Sequence, residues 1–268
     1  MKLSDWLQTA TKQLQAAGIQ TARLDALVLL QDLLNKNSAQ LLAEPDTPLT
    51  TEQVDELAKA VTRREKHEPL AYIRGKSEFY GREFIVNNDV LVPRPETETM
   101  IELFLKLPVD AQKTVVDVGT GSGAIAITVA CELHQVQVLA TDISPGALKV
   151  ARQNCIKHQA TVDLQETNLL EGLELHADAT ILANLPYVPE NYVINQAASQ
   201  EPAVALFAGP DGLDLYKELF EQLKAREHRG YLLTEALPAQ HHHLAQLARS
   251  YNYALEDSHD FIQVFAKI

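Results

Sequence analysis

Cysteine is nearly absent from this 268-residue sequence, which contains only Cys131 and Cys155. The two residues form no Cys-x-x-Cys pair, and they are too few for the disulfide framework of a small secreted scaffold. Each lies in an apolar pattern of helical period. We therefore expect both to be reduced residues that pack against the core, rather than catalytic thiols.

Long apolar runs are also absent, since no stretch approaches the about 20 residues that a helix needs to cross a bilayer. The first residues, MKLSDWLQTATKQLQAAG, carry acidic and amide side chains where a signal peptide would have its apolar segment. These absences predict a cytoplasmic protein without a membrane partner. The consecutive histidines at 241–243 cannot all face one side of a helix, so we predict no metal site there.

Basic residues are in deficit, with 23 Lys and Arg against 36 Asp and Glu and a formal net charge of −13. An acidic surface repels the phosphate backbone that basic patches normally bind. The charge therefore predicts that DNA is not a partner. The short basic stretch at Thr62–His67 is typical of a solvated helix surface.

The first part of the chain, residues 1–70, has apolar residues at helical spacing with turn residues between the predicted helices. Thr50 and Gln53 have the spacing of a capping box. Residues 71–92 contain short β-prone runs broken by Gly75 and Gly81, which predicts a β-hairpin linker. We expect a small helical domain that either docks a partner or is a structural appendage.

Residues 93–268 alternate between predicted strands and helices, which is typical of βαβ units in a mostly parallel, Rossmann-like sheet. Six strands are predicted, at TVVDVG, VQVLATDIS, TVDLQETN, ATILANLPY, GYLLTEAL and FIQVFAKI. In such α/β folds, ligands bind beyond the carboxyl ends of the strands. Candidate functional residues are therefore sought where these strands end.

A glycine-rich turn links the first of these strands to a helix and follows Asp117. The turn consists of Gly119, Thr120, Gly121, Ser122 and Gly123. Its Gly-x-Gly-x-Gly spacing differs from the dinucleotide fingerprint, and no Gly-Lys-Ser/Thr is present, which excludes a P-loop.

Asp142 ends the next strand, where a carboxylate can accept hydrogen bonds from ribose hydroxyls. Ser144 is the better cap for the following helix, which leaves Asp142 for a ligand. The combination predicts a nucleoside-bearing cofactor, and S-adenosylmethionine rather than NAD.

The stretch from Asn184 to Tyr187, Asn-Leu-Pro-Tyr, follows the fourth strand and resembles the Asn/Asp-Pro-Pro-Tyr motif of methyltransferases that modify planar nitrogens. Such a nitrogen is a poor nucleophile and carries two hydrogens. The Asn184 side-chain oxygen and the Leu185 carbonyl can accept both hydrogens and so orient the nitrogen. Pro186 stiffens the turn, and Tyr187 can supply a flat wall. The alternative is a turn in which Asn184 is only a cap.

Over nearly its whole length the sequence resembles the HemK-type methyltransferases, which methylate the glutamine side chain of peptide chain release factors. The resemblance is carried by PLAYIRGKSEFYGREFIVNNDVLVPRPETE, VVDVGTGSGAIAI, ATDISPGALKVARQN and EPAVALFAGPDGLDLYKEL. The run from Pro93 to Glu98 is its most family-specific part. The resemblance implies a class I S-adenosylmethionine-dependent methyltransferase fold, with a methyltransferase domain at 93–268. The implied enzyme is a protein-(glutamine-N5) methyltransferase.

The resemblance also implies roles for individual residues. The cofactor would be held by Gly119, Thr120, Gly121, Ser122, Gly123, Asp142, Asn168, Leu169 and Asn184. The substrate amide would be held by Asn184, Leu185, Pro186 and Tyr187, with Arg94 and Glu96 also binding substrate. The partner would be the Gly-Gly-Gln loop of a release factor, gripped elsewhere by the helical domain, and we expect the enzyme to be a monomer.

Three positions depart from the family pattern. Leu185 stands where the family usually has proline, Asn168 where it has aspartate, and Leu237 where it has the glycine of Glu-x-Gly-x-x-Gln. Glu235 and Gln240 fit the rest of that last motif. The backbone carbonyl at position 185 and an acceptor at position 168 survive these changes.

Three alternatives to a release-factor substrate are open. A sibling enzyme would methylate a glutamine of a ribosomal protein. A nucleic-acid adenine N6-methyltransferase is disfavoured by the charge of −13 and by the lack of a target-recognition domain. A binding module without activity is suggested by Leu185 and Asn168, and calorimetry with S-adenosylmethionine would distinguish it.

Overall fold

The computed structural model describes every residue from Met1 to Ile268, and the chain divides into two compact units. The first unit is Met1–Gly75 with Asn195–Gln200, and the second is Lys76–Ile194 with Glu201–Ile268. The division at Gly75 follows the last helix of the first unit, a few residues beyond the domain end that the sequence predicts.

The first unit is helical and is held by its own apolar core. Its helices are α1 (Leu3–Ala16), α2 (Ala22–Leu34), α3 (Ser38–Ala43), α4 (Thr51–Glu65) and α5 (Leu70–Arg74). Trp6, Leu14 and Leu30 are buried in this core. The predicted capping box of α4 is confirmed, because Gln53 donates its backbone N–H to Thr50 Oγ1 at 3.2 Å and accepts from the Thr50 N–H at 2.9 Å.

A β-hairpin opens the second unit, as the sequence predicts. Strand β1 (Lys76–Phe79) pairs antiparallel with β2 (Arg82–Ile85). The two residues between them, Tyr80 and Gly81, both have positive φ, at 49° and 70°. Two consecutive left-handed residues are what a two-residue turn needs to follow the right-handed twist of a hairpin.

The second unit is built on a seven-stranded sheet. Its further strands are β3 (Thr114–Val118), β4 (Gln137–Asp142), β5 (Asp163–Glu166), β6 (Thr180–Ala183), β7 (Leu232–Glu235), β8 (Tyr253–His259) and β9 (Ile262–Lys267). Their order in the sheet is β5-β4-β3-β6-β7-β9-β8. Strands β3 to β7 are parallel, while β9 runs antiparallel to both β7 and β8. The predicted mostly parallel sheet is confirmed.

Helices cover both faces of this sheet. They are α6 (Glu98–Leu105), α7 (Ala124–Glu132), α8 (Pro145–His158), α9 (Asp214–Ala225) and α10 (His241–Ser250). Successive strand residues face opposite sides, so Val115 and Leu182 pack with α6 and α7, whereas Val116 and Ile181 pack with α9 and α10. This burial on two faces explains the continuous apolar runs of the parallel strands. None of the ten helices combines the length and apolarity that crossing a bilayer requires.

Strand β8 is the one strand that the sequence reasoning missed. It lies at the sheet edge, and all its residues after Ala254 are exposed. A register shift between Leu255 and Asp257 also breaks its alternation. An exposed edge strand buries little apolar surface, so it leaves no apolar pattern in the sequence.

His228 joins the residue before β6 to strand β8 inside the second unit. Its Nε2–H donates to the Ala179 carbonyl at 2.6 Å, and Nδ1 therefore accepts from the Tyr253 hydroxyl, also at 2.6 Å. The ring is only 2 % exposed. Burial lowers the pKa of His228 below its usual 6.5, so the neutral ring is the folded form.

Because His228 is buried as a neutral ring, we expect the protein to lose stability in mild acid. Below pH ~6.5 the unfolded chain binds a proton at position 228 that the folded chain excludes, so the unfolding free energy falls as pH falls. The slope from this one group is up to about 1.4 kcal/mol per pH unit. The unfolding free energy is measured by urea unfolding at pH 8 and at pH 5.5. Its decrease between the two pH values should be smaller in His228→Asn than in the wild type. Equal losses would contradict the assignment.

Candidate active site

A cleft opens at the carboxyl ends of β3, β4 and β6 in the second unit. Its empty space, counted out to open solvent, is ≈ 1110 Å³. The lining includes Arg94, Thr97, Gly119, Thr120, Gly121, Ser122, Asp142, Asn168, Leu169, Asn184, Leu185 and Pro186. Most of the residues that the sequence marks as candidates therefore meet at one place.

Three candidates lie outside this lining. Gly123 ends the turn and donates its N–H to the Thr120 carbonyl, and a Cβ added there would come within 2.8 Å of Ile127 Cδ1. Tyr187 lies beside the cleft with its hydroxyl turned to a buried carboxylate. Glu96 is exposed to solvent.

The glycine turn is tied to the end of the neighbouring strand. The N–H groups of Gly119 and Thr120 both donate to the Thr141 carbonyl, at 2.9 and 2.8 Å. Gly119 has φ +75°, and a Cβ there would come within 3.1 Å of Leu185 Cδ2. A Cβ at Gly121 would meet nothing within 4 Å, because the turn faces open space at that point. The backbone is thus bare where a ligand would approach it.

Asp117 fixes this turn from below. Its Oδ2 accepts from Thr120 Oγ1 at 2.6 Å and from the Ala126 N–H at 3.1 Å. The carboxyl is fully buried, and burial raises its pKa to about 7. The bonds join the last residues of β3 to both the turn and the first turn of α7.

Asp142 is more constrained than its sequence context suggests. Ser144 does cap α8, since its Oγ accepts from the Ala147 N–H at 3.2 Å. The Asp142 carboxylate is nevertheless not free, because it accepts from the N–H groups of Gly121 and Ser144, each at 2.9 Å. Burial raises its pKa. Each oxygen keeps a lone pair for a hydroxyl in the cleft, so these bonds orient the carboxylate without using it up.

The turn after β5 is held by α9. Asn168 donates Nδ2–H to the carboxylate of Glu218, and Gln222 Oε1 accepts the Leu170 N–H at 2.8 Å. Leu169 between them has φ +53°. Because Glu218 takes the nitrogen end of the Asn168 amide, its oxygen is the end left for the cleft.

Asn184 stands at the start of a buried hydrogen-bond chain. Its Nδ2–H donates to Thr97 Oγ1 at 3.0 Å, and Thr97 donates to Glu235 Oε2 at 2.6 Å. The Tyr187 hydroxyl donates to the other oxygen of Glu235 at 3.0 Å. Sequence reasoning named Asn184 and Tyr187 but gave no role to Thr97. The available signals were the threonine of the Pro93–Glu98 run and a glutamate at the end of β7.

The two acceptors that the sequence proposes carry no partner within the chain. Asn184 Oδ1 and the Leu185 carbonyl oxygen accept no hydrogen bond from any residue. The Leu185 side chain is 2 % exposed and packs beside Gly119. A leucine here therefore fills the space under the glycine turn, while its carbonyl keeps its acceptor capacity.

Gln240 holds the backbone of the same segment. Its Nε2 donates to the carbonyls of Tyr187 and Asp211, both at 2.8 Å, and its Oε1 accepts the Leu237 N–H at 2.9 Å. Leu237 has φ −59°, so this position does not need glycine. The departure from the family pattern at Leu237 thus has no conformational consequence.

Arg94 forms one wall of the cleft through an ion pair. Its guanidinium donates to Glu201 Oε1 at 2.6 Å, and the Val92 N–H donates to Glu201 Oε2 at 3.0 Å. The Glu201 side chain is 2 % exposed. The pair joins the segment before α6 to the segment that precedes α9.

The fold and the glycine turn define a class I S-adenosylmethionine-dependent methyltransferase. The Methyltransferase small domain family matches residues 97–202, and the PrmC N-terminal domain family matches residues 5–75. Among solved structures, the 16S rRNA N2 G1207 methyltransferase of T. thermophilus in complex with AdoMet and guanosine has a TM-score of 0.51. That match has 15 % identity and covers 72 % of this chain and 49 % of the other.

Curated relatives narrow the class. The release factor glutamine methyltransferase of Koribacter versatilis is 41 % identical over 228 residues, which are 83 % of this chain and 81 % of that protein. The chain belongs to the release factor glutamine methyltransferase family. The bifunctional methyltransferase of Rickettsia typhi is 35 % identical to this chain, and the match covers 96 % of this chain. This chain spans only about half of that longer relative, 54 % of its length.

The residues of the cleft fit S-adenosylmethionine. The bare glycine turn admits a ligand close to the backbone, Asp142 offers two oriented acceptors, and Asn168 offers an amide oxygen. This fit predicts a strong effect of Asn168→Asp, which would set a second carboxylate against Glu218. We expect the affinity for S-adenosylmethionine to fall about tenfold, measured by calorimetry.

Two further variants control the Asn168 prediction. Glu218→Gln should change the affinity little, because an amide oxygen still accepts from Asn168. The double variant Asn168→Asp with Glu218→Gln should recover binding, since the new amide can donate to the new carboxylate. Wild-type affinity in Asn168→Asp alone would show that Glu218 does not orient this residue.

Proposed function

We propose that the protein transfers a methyl group from S-adenosylmethionine to the side-chain amide nitrogen of a glutamine in peptide chain release factors. The observation that carries this proposal is the pair of unpartnered acceptors on consecutive residues, Asn184 Oδ1 and the Leu185 carbonyl, at the edge of the cleft. Two acceptors match the two hydrogens of a primary amide. Membership of the release factor glutamine methyltransferase family supports the substrate.

The cofactor would lie along the glycine turn, with Asp142 accepting from hydroxyl groups and Asn168 and Leu169 flanking its base. When bound, it supplies an electrophilic methyl group on a sulfonium. The chain itself contributes a binding surface rather than a reactive side chain. The rate of transfer therefore depends on how well the chain positions the two reactants.

The substrate amide would be held flat and aimed by the segment after β6. Asn184 and the Leu185 carbonyl take one hydrogen each, which fixes the direction of the nitrogen lone pair and returns electron density to it. Holding the reacting atoms in line is worth an effective molarity of about 10⁵ M or more. No side chain needs to act as a strong base, because an alkylated amide nitrogen sheds its proton readily.

The Gly-Gly-Gln loop of a release factor is the proposed docking segment, and Arg94 and Glu96 are proposed to contact the substrate. Nucleic acid is a poorer fit to the charge of this region. Between Lys157 and Lys217 the chain has no lysine or arginine, while acidic residues recur along the segment that forms part of the cleft. A polyanionic substrate would be repelled there.

The test uses the purified protein, a release factor and methyl-labelled S-adenosylmethionine. We expect one methyl group on the glutamine of the Gly-Gly-Gln peptide, located by a mass-shift map. Ribosomal proteins, total RNA and DNA are offered in parallel under the same conditions. No label on that glutamine, or preferential label on one of the parallel substrates, would overturn the proposed function. Failure to bind S-adenosylmethionine would favour the non-enzymatic binding module.

A further inference from the structure

We propose that Thr97 and Glu235 are positioning residues that hold the Asn184 amide with its oxygen towards the cleft. The proposal rests on the proposed function and adds two residues to its site. Glu235, at the end of β7, acts through Thr97, and Thr97, just before α6, contacts Asn184 directly. Both are buried, with exposures of 1 % and 3 %.

The orientation of the Asn184 amide follows from counting the protons available along this hydrogen-bond chain. An ionised carboxylate accepts hydrogen bonds and donates none. Glu235 therefore requires the single hydroxyl protons of both Thr97 and Tyr187. Thr97 Oγ1 has no proton left for Asn184, so it can only accept, and Asn184 must present its nitrogen to it. The amide oxygen is thereby turned to the opposite side.

A proton on Glu235 would reverse this order. The carboxyl could then donate to Thr97, and Thr97 could donate to Asn184, whose NH₂ group would face the cleft. An NH₂ group cannot accept a hydrogen from the substrate amide. The ionised state of Glu235 thus corresponds to the orientation that binds the substrate nitrogen.

The surroundings of Glu235 determine how readily it takes up that proton. Burial raises its pKa, and the charge of Glu96 raises it further, whereas the Thr97 and Tyr187 hydroxyls and the Arg94 charge lower it. The hydroxyl of Tyr216 on α9 lies nearby, but it donates to the main-chain carbonyl of Glu235, at 2.5 Å, rather than to the carboxylate. We therefore expect an acid limb in the kcat profile that lies above pH 4.5, the ordinary value for glutamate.

The first experiment reads the geometry directly and needs no substrate. The side-chain amide of Asn184 is assigned in a ¹⁵N-correlated NMR spectrum by comparison with Asn184→Asp. In the wild type, one Nδ2 proton should exchange slowly with solvent because it is bonded to Thr97. In Thr97→Val that protection should be lost, and in Thr97→Ser it should return. Fast exchange in the wild type would overturn the proposal.

The second experiment measures methylation of a release factor. We expect kcat to fall about 10- to 100-fold in Thr97→Val, with Thr97→Ser close to wild type, because the serine hydroxyl restores both bonds. The matched control is Thr234→Val. Thr234 is equally buried on β7 and its hydroxyl has no partner, so the same substitution there removes no hydrogen bond. Equal losses in the two valine variants would indicate a structural role only.

The third experiment compares kcat profiles between pH 5 and 8 for the wild type and Glu235→Gln. Asp117 and Asp142 titrate in both proteins, so the difference between the profiles isolates Glu235. The limb assigned to Glu235 should be missing from the variant, and a limb unchanged by Glu235→Gln would contradict the proposal. If the wild type methylates no release factor, the proposed function fails, while the NMR result still decides the orientation of Asn184.

Discussion

The Asn184→Ala substitution is expected to lower kcat for release-factor methylation by about 10²- to 10³-fold, as when one preorganised hydrogen-bond partner is removed from an active site. The alanine removes the acceptor at Oδ1 and also leaves Thr97 Oγ1 without its donor. Labelled methyl transfer under saturating cofactor measures the effect. Affinity for S-adenosylmethionine should change much less than kcat.

The matched control is Asn191→Ala, which makes the same substitution at an exposed asparagine a short distance along the chain. Its activity should equal that of the wild type. Asn184→Asp tests the reasoning more sharply, because it keeps two acceptors but cannot donate to Thr97. Two carboxylates would then compete for one threonine proton, and we expect a large loss here as well. Substantial activity in Asn184→Ala would remove Asn184 from the proposed mechanism.

Much of the fold could be predicted because the parallel strands are short apolar runs and the intervening helices have their own period. The runs around Val116 and Ile181 are buried on both faces, and for this reason nearly all their residues are apolar. The glycine turn and Asp142 could be placed because their spacing is local. The edge strand β8 could not be predicted, since its exposed residues follow no apolar pattern.

The hydrogen-bond chain behind Asn184 shows where sequence reasoning stops. Thr97 and Glu235 are 138 positions apart, and Thr97 and Asn184 are 87 apart. No spacing rule connects such residues, because they meet only through the order of the strands in the sheet. The same holds for Asn168 and Glu218, whose contact depends on the packing of α9. A motif names the group that touches the substrate, whereas the partners that orient it become visible only in the folded chain.

A buried ion pair in the helical unit is expected to have the largest effect on stability. Asp25 on α2 accepts from Arg64 Nε on α4 at 2.7 Å, and the two side chains are only 5 % and 11 % exposed. Arg64 also donates to the Glu68 carbonyl at 3.2 Å. Removing one partner of such a pair leaves an uncompensated buried charge, which costs about 3–5 kcal/mol. We expect this loss for Asp25→Ala.

Trp6 provides a local measurement of this effect. It is the single tryptophan of the chain and lies in the core of the helical unit, so its fluorescence during urea unfolding reports on that unit. Asp25→Ala should move this transition to much lower urea. Affinity for S-adenosylmethionine without denaturant should be retained, because every residue proposed to hold the cofactor lies in the second unit.

The double variant Asp25→Leu with Arg64→Met separates the charge from the packing. Replacing both partners by apolar residues of similar volume removes the buried charges together, and such replacements are often neutral or stabilising. We therefore expect the Trp6 transition of the double variant to return to or beyond the wild-type position. A double variant as unstable as Asp25→Ala would show that the helices depend on the specific bonds of this pair rather than on the compensation of its charges.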